Sequence, residues 1–134
     1  RYLFKKELKG YLLSHTYKNI ELTFAVGVMS KIMEKTQIAF SSNGRTVYEL
    51  AHMNIPTIVI SHHKREDTHG FASLEKGFIN LGVFDINKTS KLIETSFSRL
   101  AIDKYYRKLL FLNIKQYNFK DNKKIIVKKI LDLL

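Results

Sequence analysis

Cysteine is absent from the 134 residues of this chain, so neither disulfides nor thiolate metal sites can hold it together. That agrees with a reducing compartment, and a cytoplasmic location is the expectation. No apolar run approaches the ~20 residues a membrane helix needs, so no membrane span is expected. Residues 1–10 alternate charge with bulky apolar groups, unlike a signal peptide. The first residue is not methionine, which makes a piece of a longer protein the expectation. Internal repeats, low-complexity runs and glycine-serine linkers are also missing. A chain of this length fits a single domain over 1–134 that buries roughly two thirds of its unfolded surface.

Acidic residues are scarce, at 12 against 23 basic ones, for a formal charge of +11. The excess sits on the flanks: +4 over residues 1–20, +6 over 101–134 and only +1 between them. Lysine dominates it, as on solvated helix faces, and no arginine-aromatic stripe accompanies it. No nucleic-acid partner is expected on that footprint.

What is present is an alternation of strand and helix. Leu3, Phe4, Leu8, Tyr11 and Leu12 share one helical stripe over residues 1–13. "IELTFAVG" (20–27) reads as a strand closing on glycine. "VMSKIMEKT" (28–36) reads as a short helix with Val28, Ile32 and Met33 inward. "QIAFS" is a second short strand, and "RTVYELAHM" a helix that turns Val47, Leu50 and Ala51 to the sheet. Asn54 stops that helix, and Pro56 suits the start of the next strand. "TIVIS" is a continuous apolar run, as expected of a parallel strand covered on both faces. A helix over 67–76 ending at Gly77, a strand in "INLGVFD", and helices over 88–100, 103–117 and 121–134 follow. In the last, Ile125, Ile126, Ile130 and Leu133 form the expected buried stripe. The spacing predicts an α/β fold with right-handed crossovers over 1–100 and a helical extension over 101–134.

In open parallel sheets ligands bind outside the carboxyl ends of the strands. Two such ends here are polar. The first is Ser41-Ser42-Asn43-Gly44-Arg45-Thr46, where small residues let backbone N–H groups approach an anion. Arg45 and the Thr46 hydroxyl extend such a cradle to a diphosphate; equally, Ser or Asn before a helix is an N-cap. The glycine-lysine-serine/threonine signature of a P-loop is missing. Glu49 reads either as an i, i+4 ion pair with Arg45 or as a carboxylate accepting from ribose hydroxyls. The second end is residues 61–69, with His62, His63 and His69 among charges. Adjacent histidines on an extended segment point to opposite sides, and no further ligand is evident, so no metal site is expected. Asp67 and Thr68 read as caps of the following helix, which sets Arg65, Glu66 and His69 at its opening turn, facing the crevice of Gly44 and Arg45. Such donors and acceptors suit a sugar or sugar phosphate. No nucleophile elbow marks a serine triad, and no catalytic residue is assigned.

"GRTVYELAHMNIPTIVIS" followed by "REDTHGFASLEKGFINLG" resembles the C-terminal half of GT-B-type nucleotide-sugar enzymes. The nearest likeness is to the UDP-sugar hydrolase of pseudaminic acid synthesis and to related spore-coat polysaccharide proteins. Similar modules stand behind acylneuraminate cytidylyltransferase domains, and the stretch 65–72 looks most like those. The N-acetylglucosaminyltransferase that completes lipid II is a more distant relative. The likeness runs over residues 20–82. It implies a Rossmann-like, three-layer parallel sheet, the C-terminal lobe of a GT-B enzyme. Ser42, Asn43, Gly44 and Thr46 match the turn that holds the nucleotide diphosphate, with Arg45 beside them, and Glu49 matches the ribose-binding carboxylate. His62, His63, Arg65, Glu66 and His69 fall in the sugar-side loop. Arg65 and Glu66 stand where relatives often carry an Asn-Gln or Gln-Gln pair, a departure that leaves the sugar open.

The resemblance thus implies the UDP- or CMP-sugar-binding lobe of a transferase or hydrolase of bacterial surface-polysaccharide or sialic-acid-like synthesis. The related hydrolase draws its catalytic histidine from an N-terminal lobe that nothing here matches, so this chain alone is expected to be inactive, without a cofactor. The other expectation is a non-catalytic assembly or regulatory module behind a cytidylyltransferase domain, with a homodimer contact through the apolar C-terminal helices.

Overall fold

The computed structural model describes residues 4–15, 19–23, 27–117 and 119–133. Helix α1 (Lys5–Ser14) and the single turn α2 (Ser30–Met33) precede strand β1 (Ala39–Ser41). Helix α3 (Thr46–His52) leads to β2 (Thr57–Ser61). The turn α4 (Lys64–Asp67) and a 3-10 turn (Leu74–Lys76) then lead to β3 (Phe78–Val83). Helices α5 (Thr89–Ile102), α6 (Lys104–Lys115) and α7 (Asn122–Leu131) follow. Among the described residues the sheet is three-stranded and parallel, in the order β1-β2-β3. The chain is therefore α/β with a parallel sheet, compatible with a Rossmann-like fold.

Strand β2 is central because its β-branched run is apolar on both faces, with Ile58 and Val59 fully buried. Alternation sends neighbouring residues to opposite sides. Val59 packs with Val47 and Ala51 of α3, whereas Ile58 packs with Leu100 of α5 and Leu110 of α6. Helix α6 reaches both clusters, because Leu110 belongs to one and Ile114 to the other. It passes closely over Gly77, just before β3, where φ is 82°.

Helix α3 ends as its sequence predicts. Asn54 adopts φ 57°, and the N–H groups of Asn54 and Ile55 donate to the carbonyls of Ala51 and Leu50, both at 3.0 Å. This is a Schellman motif, and the accompanying contact of Leu50 with Ile55 lies in a small core with Met33. Asn54→Gly removes the Cβ strain of the left-handed conformation. Thermal unfolding should show a stabilisation of up to about 1 kcal/mol.

Several elements depart from expectation. The helix expected over 67–76 is absent: α4 stops at Asp67, and Thr68 closes it by donating to the Arg65 carbonyl at 2.7 Å. Asp67 and Thr68 thus end a helical turn instead of capping one. His63 caps it, since its Nδ1 accepts from the Glu66 N–H at 3.3 Å, while the Glu66 carboxylate accepts from the His62 N–H at 2.7 Å. This reciprocal arrangement, close to a capping box, favours a short turn begun three residues early. Beyond it, Phe71 inserts among the rings of Tyr48, Phe78, Tyr117 and Phe119, a position a continuous helix would not give it.

The strand expected over 20–27 is not formed by residues 20–23, and residues 24–26 lie outside the described ones. Helix α2 keeps only one turn, with Met33 buried but Val28 and Ile32 exposed. The stripe of α1 is not buried over its described residues, where Phe4 and Tyr11 are exposed; Leu3 lies outside them. Nor is that of α7: Ile125, Ile126, Ile130 and Leu133 are all exposed. The faces of β2 are occupied by α3, α5 and α6, so neither α1 nor α7 covers that strand.

Candidate functional site

The carboxyl ends of β1 and β2 carry the two polar clusters, and the structure joins them. Asn43, in the turn after β1, is only 1% exposed. Its amide donates to the carbonyls of Glu66 at 3.0 Å and His69 at 3.2 Å. In return His69 Nδ1 donates to the Asn43 carbonyl at 2.7 Å. The contact spans 26 residues and holds loop 62–69 against turn 42–46.

On the turn side, α3 begins without a side-chain cap, and Arg45 in helical conformation occupies the N-cap position. Neither Ser42 nor Asn43 supplies the cap that composition allowed, because the Asn43 amide is committed to the loop. The N–H groups of Gly44, Arg45 and Thr46 donate to no acceptor among the described residues. The i, i+4 ion pair of Arg45 with Glu49 is not formed; among the described residues the ion pair within reach is Lys124 with Asp121. Glu49 instead lines an open groove of about 580 Å3 between α2 and α3, together with Tyr48, His52 and Phe119.

On the loop side, Ser42, Ser61 and His62 line a second cavity of about 410 Å3 with Phe40, Ile60 and Phe84. A bulge shapes this mouth. The register slips from Val59↔Asn80 to Ser61↔Val83, where Gly82 adopts φ 76°. The Asn80 side chain accepts from the Gly82 N–H at 2.9 Å, and the Phe84 N–H then reaches the Ser61 carbonyl at 2.9 Å. Phe84 is thereby brought to the end of β2. His62, His63, Arg65 and His69 are exposed, and Glu66 is half-buried. Within the loop, Glu66 and His63 cap α4, and His69 is tied to Asn43. Among the described residues no three His, Asp or Glu side chains converge as a metal site.

Ser61 opens the second polar strand end, but the sequence did not single out Phe40, Ile60 or Phe84. Phe84 depends on the bulge, and Phe119 comes from the far end of the chain. Among the described residues no helix is long and apolar enough to cross a membrane. Compared with protein-family models, with curated proteins and with solved structures, the chain has no significant match.

Proposed function

We propose that this chain is the nucleotide-sugar-binding lobe, of GT-B type with a three-layer arrangement, of a transferase or hydrolase in bacterial surface-polysaccharide or sialic-acid-like synthesis. The observation that carries the reading is the uncapped first turn of α3. The N–H groups of Gly44, Arg45 and Thr46 have no acceptor among the described residues, and the contact of Asn43 with His69 ties loop 62–69 to the same turn. Backbone donors and the Arg45 guanidinium stabilise diphosphate charge, both in the bound nucleotide and in the departing one. The Glu49 carboxylate, free in its groove, accepts from the two ribose hydroxyls. Arg65 and the histidines of the loop face the sugar, and Asn43 acts by holding that loop. The remaining wall of the cleft, with its catalytic group, belongs to a second lobe.

Titration with UDP, CMP and their sugar conjugates tests this reading. Glu49→Ala should weaken nucleotide binding about tenfold, the loss of roughly one charge-assisted hydrogen bond. Binding unchanged by that substitution removes Glu49 from the site.

A second reading, a non-catalytic module behind an acylneuraminate cytidylyltransferase domain, draws on the exposed apolar face of α7, where Ile126 and Ile130 are more than half exposed. It predicts self-association of the chain, measured by sedimentation, that Ile126→Lys abolishes.

A further inference from the structure

We propose that a groove at the amino ends of the strands takes an acidic segment of a partner protein, anchored by one apolar side chain. It lies at the opposite end of the sheet from turn 42–46 and owes nothing to the nucleotide-sugar reading. The groove holds about 570 Å3 between α6 and the segments that enter β1 and β2. Because these strands run parallel, Gln37 before β1 and Pro56 before β2 line it at the same end of the sheet.

Its floor is apolar. Met33 and Ile55 are buried in the small core with Leu50, and Met53 packs half-buried against them. Methionine side chains re-pack around apolar groups of different shape, so such a floor accepts an aliphatic or aromatic anchor. The facing wall is one side of α6, where Lys104, Arg107, Lys108 and Phe111 recur at i, i+3, i+4 and i+7. Arg107 is fixed there by donating to the carbonyls of Leu100 and Ala101, while Lys104 and Lys108 are exposed. Glu34 also lines the groove, yet among the described residues no ion pair joins it to the three cations. Positive charge therefore stands beside apolar surface without a local counter-charge.

That combination selects the occupant. A second copy of this chain does not suit it, because residues 101–134 alone carry +6 and like charges would meet. A bilayer surface is too broad to reach Met33 and Ile55, which are buried at the bottom of the groove. A nucleic acid needs rings on which its bases stack, and among the described lining residues Phe111 alone supplies one. An extended acidic segment meets both demands. Its carboxylates reach the lysines and the arginine, and one leucine or phenylalanine lies on the methionines.

The probe is a fluorescent peptide, Asp-Glu-Leu-Phe-Glu-Asp, titrated into the chain beside a version with serines in place of its leucine and phenylalanine. The first should saturate, and the serine version should bind at least about tenfold more weakly, as expected when an apolar anchor is lost. Lys104→Glu with Lys108→Glu should weaken the first peptide at least about tenfold by charge reversal. The double variant should do so without lowering the unfolding midpoint, since both side chains are exposed. Amide NMR shifts on binding should centre on residues 33–37, 53–56 and 104–111. Equal binding of the two peptides, binding unchanged in the double variant, or no saturation at millimolar peptide overturns the proposal. Shifts confined to the lysines of α7, or displacement of the peptide by UDP, overturn it as well. Self-association, or adhesion to phosphatidylglycerol vesicles, that the double variant abolishes would assign the groove to a second copy or to a membrane instead.

Discussion

Gly77→Ala is expected to destabilise the protein by about 2–5 kcal/mol, a large part of the stability of a domain this size. Two costs add. A side chain at φ 82° carries the left-handed penalty of about 1–2 kcal/mol. The new methyl would also meet Ile114 Cγ1 and the Leu110 carbonyl oxygen, well inside van der Waals contact. The carbonyl is helix backbone and cannot rotate away, so α6 must lift, at a further cost of about 1–3 kcal/mol. Urea unfolding measures the difference. Gly70→Ala is the control, because nothing lies within 4 Å of its added Cβ, and its effect should stay within about 0.5 kcal/mol. A Gly77→Ala protein as stable as the parent would show that α6 does not cross the amino end of β3 as described.

Asn43→Ala is the second large effect, expected at about 1–3 kcal/mol, the cost of removing a buried amide that makes two part-buried hydrogen bonds. The carbonyls of Glu66 and His69 each lose their donor. Unlike Gly77→Ala, the damage should be local as well as global. Amide hydrogen exchange of residues 62–70 should accelerate more than that of β2, because the loop is released while the strand ladder persists. Asn43→Asp separates donation from size: a carboxylate of similar shape cannot donate and would face two carbonyl oxygens, so it should release the loop at least as much as alanine does. If Asn43→Asp retains full protection of the loop, the amide is not what holds it.

These two residues mark the limits of what the sequence made legible. The centre of the fold was readable because its signals are local. "TIVIS" announces a strand covered on both faces, and Ile58 and Val59 are fully buried. The period of α3 assigned Val47, Leu50 and Ala51 inward, as observed. Asp103 caps α6 by accepting from the N–H groups of Tyr105 and Tyr106. Asn54 stops α3 in the conformation its residue type favours.

The misses depend on distant partners. Residues 67–76 have a helical composition, but the bond of His69 to Asn43 across 26 residues and the aromatic seat of Phe71 draw the chain elsewhere. The lysine-flanked stripe of α7 states that one face is apolar and says nothing of what covers it. The candidate site was legible as two clusters at strand ends, and that much follows from topology. The division of labour inside it was not. Asn43 looked like a ligand contact or a cap, yet its burial commits it to the loop. Arg45 and Glu49 sit at ion-pair spacing without forming the pair, because each is exposed and an exposed pair gains little.

In the proposed function, turn 42–46, Glu49 and loop 62–69 form one seat for a nucleotide sugar. A crystal of the chain soaked with UDP-N-acetylglucosamine tests it most directly. Diphosphate density is expected against the N–H groups of Gly44, Arg45 and Thr46, with the ribose at Glu49 and the sugar on the side of loop 62–69. Nucleotide density among the lysines of α6 or α7, with the α3 turn left bare at millimolar ligand, would contradict it.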